Sequence, residues 1–215
     1  MPQRKNSVKK LIYVSDPQCG WCYGNGENIL SIYNEFKADF EFELLNGGMW
    51  IGEHAPTGGE KTSDYIQSQA PRLMSYTGVE ISEAYFAMLK DPKYVLSSLE
   101  PCSAIMAIKQ MAPDFVFEFS KEIQKAQFVL GSRLEEIESY LPILNKMGLS
   151  SDEFQSLWLT EKNLELCMAE FDIADKITNG FPTLLLQDEK DLKVLASGYF
   201  NLEEMKENLK DLIKD

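Results

Sequence analysis

Cys19-Gly20-Trp21-Cys22 places two thiols three residues apart. On a helical turn such residues face the same way, so the pair can close into one small disulfide ring and reopen while the fold stays put. Exchange of this kind begins with a thiolate attacking a disulfide sulfur. A short apolar run, Leu11-Ile12-Tyr13-Val14, precedes the pair, and a helical pattern follows it. Cys19 therefore falls at a strand-to-helix junction, where free N–H groups and the helix dipole favour negative charge on sulfur. Cys22 lies one turn deeper and is expected to be less accessible. That order makes Cys19 the attacking thiol and Cys22 the resolving one. The competing readings are half a zinc site or two packing thiols. Tetrahedral zinc needs four ligands, and the chain has one histidine and no second C-x-x-C. No metal is expected.

Other residues offer chemistry with weaker local support. Asp16 could accept a proton from Cys22, or serve only as a strand-end turn residue. His54, the single histidine, sits in the loop Gly52-Glu53-His54-Ala55-Pro56; it could act as a general base if the loop folds over the site, and otherwise reads as an exposed loop residue. Cys102 follows Pro101 at a helix start and reads as a small packing residue. Cys167 shares a helical stripe with Leu164, Met168 and Phe171, a core pattern. Trp21, Met49, Trp50 and Phe181 could form an apolar lip around Cys19, suited to unfolded peptides or a hydrophobic small molecule. Alternatively, Met49 and Trp50 simply pack helices onto the sheet.

The elements that must position these residues follow from periodicity. Residues 11–15 read as a buried strand. Residues 27–38 read as a helix, with Ile29, Ile32, Tyr33 and Phe36 on one face. Gly24 and Gly26 should separate the Cys turn from that main helix. Residues 40–45 alternate as a half-buried strand ended by Asn46-Gly47-Gly48. From 62 to 178 no strand is expected; helical runs appear near 63–76, 82–90, 101–111, 114–130, 134–147, 151–158 and 161–177, with a small core of their own. Ser82 and Ser151 read as N-caps, Pro101 as a first helical position and Gly148 as a helix stop. Thr183–Leu186 and 192–196 read as a hairpin, and 203–213 as a final helix with Met205, Leu209 and Leu212 inward. The order is β-α-β, a helical insertion, then β-β-α.

The chain has 215 residues, 44% hydrophobic and 26% charged, with 34 acidic against 21 basic side chains and a net charge of -13. These values suit a globular protein. The acidity disfavours a nucleic-acid surface, which needs a basic stripe, and an anionic membrane surface. Only four apolar residues follow the basic first ten, whereas a secretory signal needs roughly 7–15 and a membrane span about 20. The expected location is cytoplasmic, where thiols are mostly reduced.

The chain resembles the DsbA-like branch of the thioredoxin superfamily. The resemblance rests on Tyr13-Val14-Ser15-Asp16-Pro17-Gln18-Cys19-Gly20-Trp21-Cys22-Tyr23-Gly24, the Gly47-Gly48-Met49 turn, Glu100-Pro101 and Gly180-Phe181-Pro182-Thr183. It is similar above all to cytoplasmic FrnE-like and 2-hydroxychromene-2-carboxylate isomerase-like proteins. It implies an α/β thioredoxin fold (βαβ…ββα) with a large all-helical insertion: residues 1–61 and 179–215 as the thioredoxin-like domain, 62–178 as the inserted one. It further implies a protein disulfide oxidoreductase or isomerase with Cys19 exposed, and Pro182 as a cis proline facing the pair. No cofactor beyond the Cys19–Cys22 pair is implied, with glutathione a candidate reductant. Partners would be protein thiols and disulfides or a hydrophobic small molecule, and a monomer is compatible. The Gly-Trp spacer lacks the histidine of strongly oxidising DsbA proteins, so a less oxidising pair is expected than DsbA at about -120 mV; thioredoxin lies at about -270 mV. Cys19 stands where glutathione-using relatives carry serine. The alternatives on this fold are a glutathione-linked small-molecule isomerase or transferase and a non-catalytic protein-binding adaptor.

Overall fold

Side chains along a strand alternate between faces, and β1 (Lys10–Ser15) is buried on both. Leu11 and Tyr13 face one layer of helices; Ile12 and Val14 face another. The computed structural model describes residues 9–189 and 191–214. It places β1 inside a four-stranded sheet ordered β2-β1-β3-β4, with β2 at Glu41–Asn46, β3 at Thr183–Asp188 and β4 at Asp191–Ser197. β1 and β2 are parallel, with Tyr13 opposite Leu44. β3 runs antiparallel to β1, with Leu184 opposite Tyr13, and then pairs back with β4. Parallel neighbours need a crossover, here α1 (Gly20–Gly24) and α2 (Gly26–Phe36); α10 (Leu202–Lys214) closes the second half.

Between β2 and β3 run α3 (Glu60–Thr77), α4 (Glu83–Leu89), α5 (Leu99–Met111), α6 (Val116–Leu130), α7 (Leu141–Met147), α8 (Ser151–Leu157) and α9 (Glu161–Ile177). One isolated bridge, Thr57 to Val95, interrupts a stretch expected to hold no β structure. Ser82 caps α4 through Tyr85 N–H, and Gly148 ends α7 in the left-handed conformation. The cap of α8 is Ser150 rather than Ser151, because the extended backbone belongs to Ser150, whose Oγ accepts from Glu153 N–H at 3.2 Å. Pro101 is the third residue of α5, not the first. It fits there because first-turn N–H groups have no intrahelical acceptor. The run 134–147 is not one helix: the Tyr140 hydroxyl donates to the Leu134 carbonyl and Ser139 to Arg133, holding a loop and a short 3-10 turn ahead of α7.

The inserted helices hold one core cluster of their own, from Ala70 to Phe128, and share another with the sheet. Phe119, Tyr140 and Phe154, all fully buried, join one cluster with Leu11, Tyr13 and Leu184 of the sheet. Burying each such side chain contributes about 1.5–3 kcal/mol, so these helices and the sheet stabilise one another. A second cluster, built by α3, α4, Tyr94, Leu96 and Phe128, takes in Trp21, Tyr23 and Trp50. α9 covers the other sheet face through Ala174 and Ile177. Met205 and Leu209 of α10 are buried, with Leu212 packed at the margin. Among the described residues no helix is long and apolar enough to cross a membrane.

Candidate active site

Cys19 is the N-cap of α1. Its backbone is extended (φ -82, ψ 113), and its Sγ accepts the Cys22 N–H at 3.3 Å. A cap residue turns its side chain onto the free N–H groups of the first turn; here that side chain is a thiol, so sulfur occupies the positive end of the helix. The Sγ also lies 3.7 Å from the Phe181 carbonyl. Cys22 sits behind it, 1% exposed, with its Sγ accepting from Asp16 N–H at 3.5 Å. Burial, and then the neighbouring Cys19, push the Cys22 thiol well up. Cys19 is itself only 6% exposed, not the open thiol expected: the Phe181 backbone and the cleft walls cover it.

That cleft opens beside Cys19, with a volume of about 260 Å³. Trp21, Met49 and Trp50 line it as the lip reading expects, joined by Leu73, Tyr85 and Phe128. Phe181 does not join the lip. Its ring packs over Gly47, where a Cβ would lie 2.6 Å away, and onto the cluster of Ile12 and Val14. Its contribution is the carbonyl aimed at Cys19. The Phe181–Pro182 peptide is cis, Pro182 is buried, and the Pro182 carbonyl accepts from Gly198 N–H at 2.7 Å.

The Asp16 carboxyl does not face Cys22; only its backbone does. Oδ1 accepts from Gln18 N–H at 2.9 Å and from the Ser98 hydroxyl at 2.9 Å, and Oδ2 accepts from Met49 N–H at 2.7 Å. The group is fully buried, and burial raises its pKa against the pull of these donors. Asp16 thus ties the motif loop to the Gly48-Met49 turn and to the start of α5. Gly48 has φ +66 there, and a Cβ would meet the Phe171 ring at 2.5 Å. The loop is tied again to α6, where Gln124 donates to the Asp16 carbonyl at 3.2 Å and Gln127 to Gln18 Oε1 at 2.5 Å.

Asn25 separates α1 from α2, as the two glycines around it suggest. It is fully buried; its Nδ2 donates to the Gly198 carbonyl at 3.2 Å, and its Oδ1 accepts from Phe200 N–H at 3.4 Å. Gly24 lets α3 approach: a Cβ there would sit 2.6 Å from Thr77 Cγ2.

His54 is exposed on a 3-10 turn and does not line the cleft. Cys102 and Cys167 are buried with Met106 and Phe171; burial pushes the Cys102 thiol well up and that of Cys167 up to about 12. Met168 lies off that buried stripe, 45% exposed, because the inward positions of α9 are Asn163, Cys167, Phe171 and Ala174. Ser98, Gln124, Gln127 and Arg72 carry no local motif and went unread in the sequence. Arg72 lines the cleft with its guanidinium over the Trp21 ring, 6.0 Å from the centroid. The sole hint of its role was the absence of any acid one turn away on α3.

Comparison with protein-family models gives no match, and comparison with curated protein sequences gives none. Solved structures do match. A candidate protein disulfide isomerase from Nitrosomonas europaea aligns at TM-score 0.83 and 20% identity, over 97% of this chain and 98% of that one. The cytosolic disulfide reductase DsbM from Pseudomonas aeruginosa, in its structure with GSH, aligns at TM-score 0.78 and 25% identity, over 96% and 100%. A 2-hydroxychromene-2-carboxylate isomerase aligns at 0.61 and 12%, over 94% and 95%. With the sheet order β2-β1-β3-β4, the thiol pair heading the first helix and the helices set between β2 and β3, the chain has the thioredoxin fold with inserted helices that these DsbA-like structures share.

Proposed function

We propose that the protein is a thiol-disulfide oxidoreductase acting as a reductase or isomerase through Cys19 and Cys22. The observation that carries this reading is the Cys22 N–H set 3.3 Å from the Cys19 sulfur at a helix start. Cys19 thiolate attacks a disulfide RS–SR′; the Cys19–SR bond forms and R′S⁻ leaves, taking up a proton. Cys22 then loses its proton and attacks the Cys19 sulfur, RS⁻ leaves and takes up a proton, and the substrate has gained the two electrons that the Cys19–Cys22 dithiol gave up in becoming a disulfide. Burial keeps Cys22 a thiol until the mixed disulfide stands beside it. An external thiol, glutathione by this reading, restores the dithiol; DsbM, similar in structure, has been solved with GSH. The Phe181 carbonyl and Pro182 form the wall where substrate docks, and Trp21, Met49 and Trp50 the apolar side. The uncharged Gly-Trp spacer favours reduction over oxidation, in a cytoplasmic setting with protein or small-molecule disulfides as partners. The test is insulin reduction with glutathione as electron source: wild type precipitates insulin B chain and Cys19→Ser does not. Equal rates from the two would sink the proposal.

The apolar cleft supports a second reading, glutathione-linked conversion of a small molecule. Glutathione binding by calorimetry without any insulin reduction would select it.

A further inference from the structure

We infer that the cleft beside Cys19 selects small disulfides whose captured half is aromatic and anionic, with Arg72 as the group that recognises the anion. The inference rests on the oxidoreductase reading above and adds a substrate class to it. The walls near the sulfur are Trp21, Met49, Trp50 and Leu73. The volume of about 260 Å³ falls just below the roughly 300–1,000 Å³ of drug-sized pockets, which suits a group of about one ring. Tyr65, 68% exposed, also lines the cleft, and Tyr76, outside the lining, meets the Trp21 ring edge-on at 6.2 Å.

Charge narrows the class. Arg72 is the one charged side chain lining this cleft among the described residues. No carboxylate there lies within ion-pair distance of it, whereas Arg133, Lys109, Lys121 and Lys206 each have acidic partners. In a chain of net charge -13, most of the surface repels anions. A guanidinium without an acid, laid over an indole beside a sulfur at a helix start, is a preset receptor for a carboxylate, sulfonate or phosphate. In the exchange, Cys19 thiolate bonds to the sulfur of the captured half, the S–S bond breaks, and the other half departs as its thiolate. Arg72 contacts the anionic substituent throughout and takes no electrons.

The test compares stopped-flow rates with the dianionic aromatic disulfide dithiobis-nitrobenzoate and the neutral aromatic dithiodipyridine. The readout is the ratio of the two rates. Arg72→Ala should lower it about two- to fivefold and Arg72→Glu further, since fivefold is about 1 kcal/mol, the upper end of what an exposed ion pair contributes. Arg72→Lys should keep most of it, and salt should draw the wild-type ratio toward that of Arg72→Ala. A ratio unchanged across these variants, with Cys19→Ser unreactive, overturns this inference alone. Cys19→Ser reacting as fast as wild type with both reagents overturns the oxidoreductase reading and this inference with it.

Discussion

Ser98 is the smallest change through which the motif loop can be loosened. Its side chain is fully buried; its hydroxyl donates to Asp16 Oδ1 at 2.9 Å and accepts from Trp50 N–H at 3.1 Å. Ser98→Ala removes one oxygen and leaves the α5 backbone in place. The bond to the carboxyl is worth about 1.5–3 kcal/mol if the acceptor is charged, and the bond from Trp50 about 0.5–1.5 kcal/mol. The expected loss is therefore about 3 kcal/mol. At roughly 2–4 °C per kcal/mol for a chain of this size, Tm should fall by about 6–12 °C. Urea denaturation monitored by tryptophan fluorescence gives the value, with an unchanged m-value showing that the unfolded state is the same. A double-mutant cycle isolates the shared bond: in an Asp16→Asn background Ser98→Ala should cost about 1–2 kcal/mol less. A single-mutant loss below about 1 kcal/mol, or strict additivity, would refute the claim that this contact holds the loop.

The Tyr13 hydroxyl is buried with Ser15 and Asn25 as its polar neighbours, so Tyr13→Phe should lower stability in urea by about 1 kcal/mol; an unchanged or raised stability would show that these neighbours contribute nothing. Gly48→Ala forces a side chain into φ +66 and onto Phe171 and should cost about 2–4 kcal/mol, readable as a drop in Tm. The raised pKa of Asp16 means that the folded state holds this proton more tightly than the unfolded chain. Its contribution is fully present below the ordinary carboxyl pKa of 3.8 and is lost as pH rises through the folded value. The stability of wild type minus that of Asp16→Asn, measured from pH 4 to 8, should therefore fall with rising pH; a rising difference would reverse the assignment.

What could be read in the sequence was local. The periods of β1, α2 and β2, the hairpin signals after Gly180 and the C-x-x-C at a strand-to-helix junction all lie within a few residues of one another. Their outcome is the sheet order and the capped sulfur. What could not be read depends on partners far along the chain: Asp16 with Ser98, and Gln18 with Gln127, are 82 and 109 residues apart. A buried serine or glutamine in a helix looks like any surface polar residue until its partner is placed. Phe181 shows the same limit within one residue: an aromatic beside the proline suggests a lip, whereas Gly47 leaves a hollow that draws the ring away and presents the carbonyl instead. Ser150 and Ser151 differ only in backbone angle, which composition does not encode.

The ties that hold the thiol pair have a consequence for how the protein is made. Gln124, Phe181, Gly198 and Phe200 follow the groups they fix by 108 to 175 residues. A nascent chain therefore carries two unshielded thiols, without their carbonyl wall or the Asn25 anchor, until those residues have been made. Such long-range closure slows folding, and at translation speeds of about 5–20 residues per second the wait lasts about 5–35 s. A chain cut short of Phe181 would thus hold Cys19 and Cys22 without the carbonyl wall and the anchor that surround them in the fold.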